Sequence, residues 1–217
     1  MFIVEKEPKS MAAERYRSLR TNIEYSSFDK KYRVIAVTSS EPEEGKSTTA
    51  GNLALCMAEG EKKVMLIDCD LRKPSLHKKF NISNLLGLSD ILIAKADLAS
   101  ATHMYNKNLF LLTSGKIPPN PSEMLSSKVM GYLLESLKGI FDYIILDTPP
   151  LKVVTDSQIL STKADATILV VRAERTKRES VKNSIDLLKN VNANIIGIVL
   201  NGVDTSINNY DYYYEEK

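Results

Sequence analysis

The sequence predicts a single α/β domain, a mostly parallel sheet covered by helices on both faces, with a helix ahead of it and a tyrosine-rich tail behind it. Three observations predict this. Short β-branched runs alternate with helix-like stretches along nearly the whole chain, and strands that alternate with helices build parallel sheets. The runs are apolar at consecutive positions, not at every second one, which is the pattern of strands buried on both faces. The chain has 217 residues, no internal repeat and no dividing linker, so one domain suffices.

In chain order, strands are expected at Tyr32–Thr38, Lys63–Ile67, Asn108–Thr113, Asp142–Leu146, Asp165–Val171 and Asn194–Leu200. Between them, helices are expected at Lys46–Glu59, Ser89–Ala99, Ser122–Leu137, Asp156–Lys163 and Lys177–Val191. The segment 8–27 reads as a further helix, with Ala12, Tyr16, Leu19 and Ile23 on one face and Glu14, Arg17, Arg20 and Glu24 on another. The domain proper is expected to run over 1–204. Residues 205–217 carry Tyr210, Tyr212, Tyr213 and Tyr214, no periodicity and no aliphatic side chain after Ile207, so a flexible tail is expected.

Composition narrows the function classes. A hydrophobic fraction of 43% and a charged fraction of 26% exclude disordered, collagen-like and disulfide-stapled chains. A balance of 29 Lys plus Arg against 27 Asp plus Glu argues against a strongly basic nucleic-acid binder. The strongest apolar run, Ala166–Val171, is far shorter than the roughly 18 residues of a membrane span, and the first ten residues lack the apolar core of a secretory signal. Two cysteines, Cys56 and Cys69, and two histidines, His77 and His103, offer neither a disulfide framework nor a zinc spacing. A reducing cytoplasm is the expected compartment. Cys56 and Cys69 read as core and the two histidines as surface.

The chemistry is concentrated where strands end. Ser40–Ser47 (SEPEEGKS) follows the first strand and opens a helix, the setting of a phosphate-binding loop. Gly45 lets the backbone approach phosphate, Lys46 reaches the outer phosphates and the Ser47 hydroxyl is placed to ligate Mg²⁺. Glu43, Glu44, Gly45, Lys46, Ser47 and Thr48 are the candidate nucleotide contacts. Only the second half of GxxxxGK[ST] is matched, because Ser40 stands at the first glycine. Two further strands run into Asp68-Cys69-Asp70 and Asp147-Thr148. Ligands of open α/β sheets sit at the carboxyl ends of the strands, so three aspartates should converge on the loop. Mg²⁺ needs only one or two carboxylates besides phosphate and water. No glutamate follows Asp147, and the spare carboxylate of the Asp68/Asp70 pair could accept a proton from a hydroxyl substrate. Arg72 and Lys73 are candidates to touch phosphate or a partner. These features together predict a P-loop NTPase-like domain.

In this arrangement the chain resembles the bacterial tyrosine kinases, specifically the separate cytoplasmic kinase subunit of capsular and exopolysaccharide synthesis. Ser39–Ala54 is similar to the family's Walker A, Val64–Pro74 to its Walker A′ and Tyr143–Pro150 to its Walker B. Gly87–Leu92 and Pro118–Leu125 resemble family segments, and Glu14–Asn22 resembles the ExxRxxR helix with Glu14, Arg17 and Arg20 on its signature positions. The terminal tyrosines complete the likeness. The resemblance implies an ATP- and Mg²⁺-dependent protein-tyrosine kinase that autophosphorylates its tail in trans and regulates polysaccharide synthesis. Lys46, Asp68 and Asp70 would be catalytic, with Asp68 as base, and Ser47, Asp70 and Asp147 would hold the metal. It also implies a ring-shaped homo-oligomer contacting through the ExxRxxR helix and a membrane-anchored activating modulator that recruits the kinase to the inner face of the membrane. Polysaccharide-synthesis enzymes would be substrates, a tyrosine phosphatase would act in opposition, and no nucleic acid is involved. Glu44 departs from the small residue usual there, and its charge is expected to lower ATP affinity. A partition or division-site-positioning ATPase is the alternative, but such proteins carry a second lysine where this chain has Glu41. A scaffold using nucleotide only to assemble is a third reading.

Overall fold

The computed structural model describes residues 2–26 and 31–203. The tail with its four tyrosines and the last residue of the helix expected over 8–27 lie outside them. One sheet organises the chain: β1 (Val34–Ser39), β2 (Val64–Asp68), β3 (Thr102–Met104), β4 (Leu109–Leu112), β5 (Tyr143–Asp147), β6 (Ala166–Arg172) and β7 (Ile195–Asn201). Their spatial order is β3-β4-β2-β5-β1-β6-β7, and every pair is parallel except β3 with β4. The helices among the described residues are α1 (Ile3–Lys6), α2 (Met11–Tyr25), α3 (Lys46–Glu59), α4 (Leu76–Phe80), α5 (Leu88–Leu92), α6 (Leu98–Ala101), α7 (Pro121–Ser126), α8 (Lys128–Lys138), α9 (Asp156–Lys163) and α10 (Arg178–Asn190). None of them is long and apolar enough to cross a membrane.

The consecutive apolar residues of the central strands divide between two cores, as the period of two requires. Ile35, Val37, Val64 and Leu66 join α2 and α3 on one face. Val34, Met65, Ile67, Ile144 and Leu146 join α5, α8 and Leu160 of α9 on the other. A smaller cluster, Leu169, Val171 and Leu188, seats α10. The outermost strand β7 departs from burial on both faces: it has one neighbour only, and Ile198 and Leu200 remain 49% and 57% exposed.

The helical expectations change at residues whose side chains compete with the backbone. The helix expected at Ser89–Ala99 breaks into α5 and α6, because Ala94 turns to φ 57° and the Asp97 carboxylate accepts the Ser100 N–H at 2.7 Å, starting a new helix. The one expected at Ser122–Leu137 breaks at Ser127, which ends α7 and caps α8 by accepting the Met130 N–H at 3.2 Å. In α2 the buried alanine is Ala13, not Ala12; Ile23 is buried, and Tyr16 and Leu19 pack against the same core. Ahead of α2, the Val4 N–H donates to Asn52 Oδ1 at 3.2 Å, and the Phe2 ring lies over Gly51 of α3, where a Cβ would come within 2.2 Å of it. The N-terminus is thereby fixed to the helix that begins at Lys46.

Candidate functional site

The order β2-β5-β1 brings three strand ends together, and the parallel register sets Asp68 beside Asp147. β1 leads through Ser40–Gly45 into α3. Gly45 caps α3 at φ +96°, and a Cβ there would meet the Asn201 side-chain nitrogen at 2.0 Å. That position therefore disfavours a side chain by its conformation, and any Cβ there would also have to displace the Asn201 amide. The first helical bond runs from the Thr49 N–H to the Gly45 carbonyl at 2.8 Å, so the N–H groups of Lys46, Ser47 and Thr48 have no partner within the helix.

The expected carboxylates do converge. Lys46 Nζ lies 3.2 Å from Asp70 Oδ2, 3.2 Å from Asp147 Oδ1 and 3.2 Å from Ser47 Oγ. Burial works to deprotonate Lys46, but Asp147, Asp70 and Asp68 together outweigh it and raise its pKa. Asp68 is fully buried and its carboxylate accepts three N–H groups: Asp70 at 3.2 Å on Oδ1, and Ser75 at 3.0 Å and Leu76 at 2.9 Å on Oδ2. Burial and the neighbouring Asp147 push its pKa up to about 7 against those donors and Lys46. Burial raises Asp147 as well, opposed by Lys46 and the Ser47 hydroxyl. Asp147 Oδ2 is buried with no hydrogen-bond partner among the described residues, although Lys46 holds its sister oxygen. An orphaned carboxylate oxygen beside a serine hydroxyl fits Mg²⁺, a hard cation that takes oxygen ligands. Among the described residues no group of three His, Cys, Asp or Glu side chains could hold a metal alone, so phosphate and water oxygens would complete its shell.

The loop's glutamates are tied to the opposite wall. Glu44 is buried; one carboxylate oxygen accepts the Glu41 N–H at 2.9 Å, the other accepts the Thr176 hydroxyl, and its carbonyl accepts from Asn201 Nδ2 at 2.9 Å. Its charge thus braces the loop, a duty the sequence does not announce. Glu41 accepts from Lys152 Nζ at 2.9 Å and from Ser180 Oγ at 2.6 Å, and Glu43, at φ 64°, pairs with Arg175 at 3.2 Å. On the other side, Thr48 Oγ1 accepts from Lys79 Nζ at 3.1 Å, and Ser47 Oγ shares a hydrogen bond with Ser75 Oγ at 3.1 Å.

Other candidates settle elsewhere. Arg72 is engaged within the chain, donating to Asp156 Oδ2 at 2.9 Å and Ser122 Oγ at 3.0 Å, while Lys73 is exposed. Glu14 and Arg17 pair at 2.5 Å, Arg17 also reaches Glu59 of α3 at 3.2 Å, and Arg20 donates to the Cys56 carbonyl at 2.8 Å. Glu59, then Glu14, raise the Arg17 pKa. The two arginines therefore fasten α2 to α3. Both cysteines are buried, and burial raises their thiols, Cys56 to about 12. His77 and His103 are half-buried and apart from the carboxylates. Asn201, Thr176, Ser75 and Lys152 escape a motif search, yet Asn201 ends β7 and Ser75 lies in the connection that leaves β2, and a position at a strand's carboxyl end is the one signal that could have found them.

Known proteins resemble this chain in sequence and fold. A family model described as an AAA domain matches residues 32–199. The chain is 43% identical over 213 residues to tyrosine-protein kinase YwqD of Bacillus subtilis, covering 97% of this chain and 90% of that protein. It is 34% identical to the putative tyrosine-protein kinase CapB of Staphylococcus aureus, over 97% of this chain and 93% of that one. The solved kinase domain of the Escherichia coli tyrosine kinase ETK superposes with a TM-score of 0.91 at 32% identity, covering 99% of this chain and 85% of that one.

Proposed function

Because the chain belongs to the bacterial tyrosine-protein kinase family, we propose that the cleft at the ends of β1, β2 and β5 transfers the terminal phosphoryl group of ATP to tyrosine, its own tail tyrosines among the acceptors. The observation that carries the site assignment is the Lys46 ammonium held between Asp70 and Asp147, beside an Asp147 oxygen with no partner. Phosphate oxygens take hydrogen bonds from Lys46 and from the free N–H groups that open α3. Glu43, Glu44 and Gly45 shape the cradle, and Thr48 closes it. Ser47, Asp70 and Asp147 would hold Mg²⁺, which when bound neutralises charge on the phosphates.

The tyrosine oxygen forms a bond to the γ-phosphorus, the bond from phosphorus to the β–γ bridging oxygen breaks, and ADP leaves. The phenol proton goes to Asp68. A carboxylate has about four lone-pair sites, and three N–H donors occupy three of them, so Oδ1 keeps one for that proton. The three donors fix the oxygen that receives it.

The acceptors in this reading are Tyr210, Tyr212, Tyr213 and Tyr214, presented in trans within a ring whose contacts include Glu14, Arg17 and Arg20. Glu14 keeps 43% of its side chain exposed, which supports a further contact across subunits. The kinase works in the cytoplasm at the inner face of the membrane, activated by a membrane-anchored modulator and opposed by a tyrosine phosphatase, and it regulates capsular or exopolysaccharide synthesis enzymes. Glu41, ion-paired with Lys152 at 2.9 Å, disfavours the partition-ATPase alternative, whose members usually carry a lysine there. Incubation with Mg·ATP, with and without the modulator's cytoplasmic segment, followed by phosphotyrosine mapping, tests the proposal. Tail phosphate that falls more than about a hundredfold in Lys46→Met is the expected result. Phosphate release with no phosphotyrosine overturns the kinase reading.

A further inference from the structure

The stretch between Asp70 and Asp90 contains no acidic residue but four basic ones, Arg72, Lys73, Lys78 and Lys79. Its backbone is anchored to the reaction carboxylates: the Lys73 N–H donates to Asp70 Oδ1 at 3.0 Å, and those of Ser75 and Leu76 donate to Asp68. The four cationic side chains are exposed along this anchored rim. Arg72 is neutralised by Asp156, and Lys79 donates to Thr48 at the phosphate loop. Lys73 and Lys78 have no carboxylate partner among the described residues. Two exposed cations without a carboxylate partner among the described residues therefore lie on the segment whose backbone is tied to the anionic strand-end aspartates.

We propose that this rim, through Lys73 and Lys78, docks the acidic tyrosine segment of this chain's own sequence, residues 204–217. The inference rests on the reading of the tail as substrate and assigns the residues that select it. The segment carries Asp204, Asp211, Glu215 and Glu216 against a single lysine, Lys217, so its charge is complementary to the rim. Glu215 and Glu216 directly follow Tyr212–Tyr214, and Asp211 separates Tyr210 from them. Each acceptor hydroxyl is thus flanked by carboxylates within one or a few residues. The strand-end aspartates repel such a segment, and a cationic rim beside them offsets that repulsion and aligns it. Selection by charge tolerates several tyrosines in several registers, as a clustered tail demands.

The test separates docking from transfer. Binding of a fluorescent peptide of residues 204–217 to the full chain is followed by anisotropy at low and moderate salt. The comparison peptide has its four acidic residues replaced by their amides, and the comparison protein is the Lys73→Glu/Lys78→Glu variant. The expected results are binding about tenfold weaker for the amide peptide and for the variant, a loss that shrinks with salt, and recovery when a peptide with its acidic residues changed to lysine meets the variant. Equal binding of both peptides by both proteins, or no binding at all, overturns the docking proposal, as does a variant whose thermal unfolding midpoint has fallen and whose charge-reversed peptide gives no recovery. Phosphotyrosine on the bound peptide is scored separately. Charge-dependent binding without any transfer when Mg·ATP and the modulator's cytoplasmic segment are both supplied upholds the rim and refutes the kinase reading.

Discussion

Two strand-to-helix connections flank the Lys46 ammonium, the loop from Ser40 to Gly45 and the rim from Leu71 to Ser75, and they handle charge in opposite ways. The loop is acidic, and each of its glutamates is committed: Glu41 to Lys152 and Ser180, Glu43 to Arg175, Glu44 to Thr176 and the Glu41 N–H. The rim, continued through α4, is basic, and Lys73 and Lys78 are exposed and have no carboxylate partner among the described residues. A loop that must hold N–H groups at fixed positions against a polyanion spends its side chains on its own geometry. A surface proposed to select an acidic segment by charge keeps its own charges available. Substitutions in the loop should therefore register as lost stability or lost nucleotide, and substitutions in the rim as lost selectivity alone.

The largest effect expected from breaking this contrast is at Gly45. Gly45→Ala places a side chain at φ +96° and drives its Cβ to 2.0 Å from the Asn201 nitrogen that holds the Glu44 carbonyl. A left-handed conformation costs a non-glycine residue about 1–2 kcal/mol before any clash is counted. ATP affinity measured by titration should fall about tenfold or more. Asn201→Gly in the same chain should restore only part, since it relieves the clash and leaves the backbone conformation. Full restoration would show that the steric conflict alone sets the requirement.

Next in size is Glu44→Ala. It leaves the half-buried Glu41 N–H and Thr176 hydroxyl without their acceptor, and since a fully buried unsatisfied polar group costs about 1–3 kcal/mol, a loss toward the lower end is expected. Urea unfolding should report a lower midpoint with an unchanged slope. If ATP affinity rises while stability holds, the carboxylate acts as a charge near phosphate and the bracing role is wrong.

The same contrast explains what was legible from sequence. The core strands announce themselves because burial on both faces forbids polar interruption, and α3 is found at its observed bounds because Gly45 and Gly60 punctuate it. Convergence of Lys46, Asp70 and Asp147 follows from strand order and the rule that ligands gather at carboxyl ends. The braces do not follow. Thr176 and Lys152 lie 132 and 111 residues from the glutamates they hold, and no local period connects them. The short β3 is equally silent, being three residues long and paired to one neighbour. The new helix starts at Asp97 and Ser127 arise from single side chains that cap the backbone inside stretches whose overall pattern is helical.

The smallest expected effect is the one that sharpens the contrast most. Lys73→Ala and Lys78→Ala, made together, remove two exposed side chains with no partner to abandon, so unfolding free energy should change by no more than about 0.5 kcal/mol. The Lys73 N–H that holds Asp70 belongs to the backbone and survives the substitution. Affinity for ATP should be unchanged, because the proposed phosphate contacts are Lys46 and the N–H groups that open α3. What should change is discrimination: the ratio of kcat/KM for the acidic tail peptide to that for its amide counterpart should fall toward one, with the loss in KM. A fall in kcat for both peptides would place the lysines in the chemistry. The rim would then be an extension of the loop, and the division between committed and available charge would not hold.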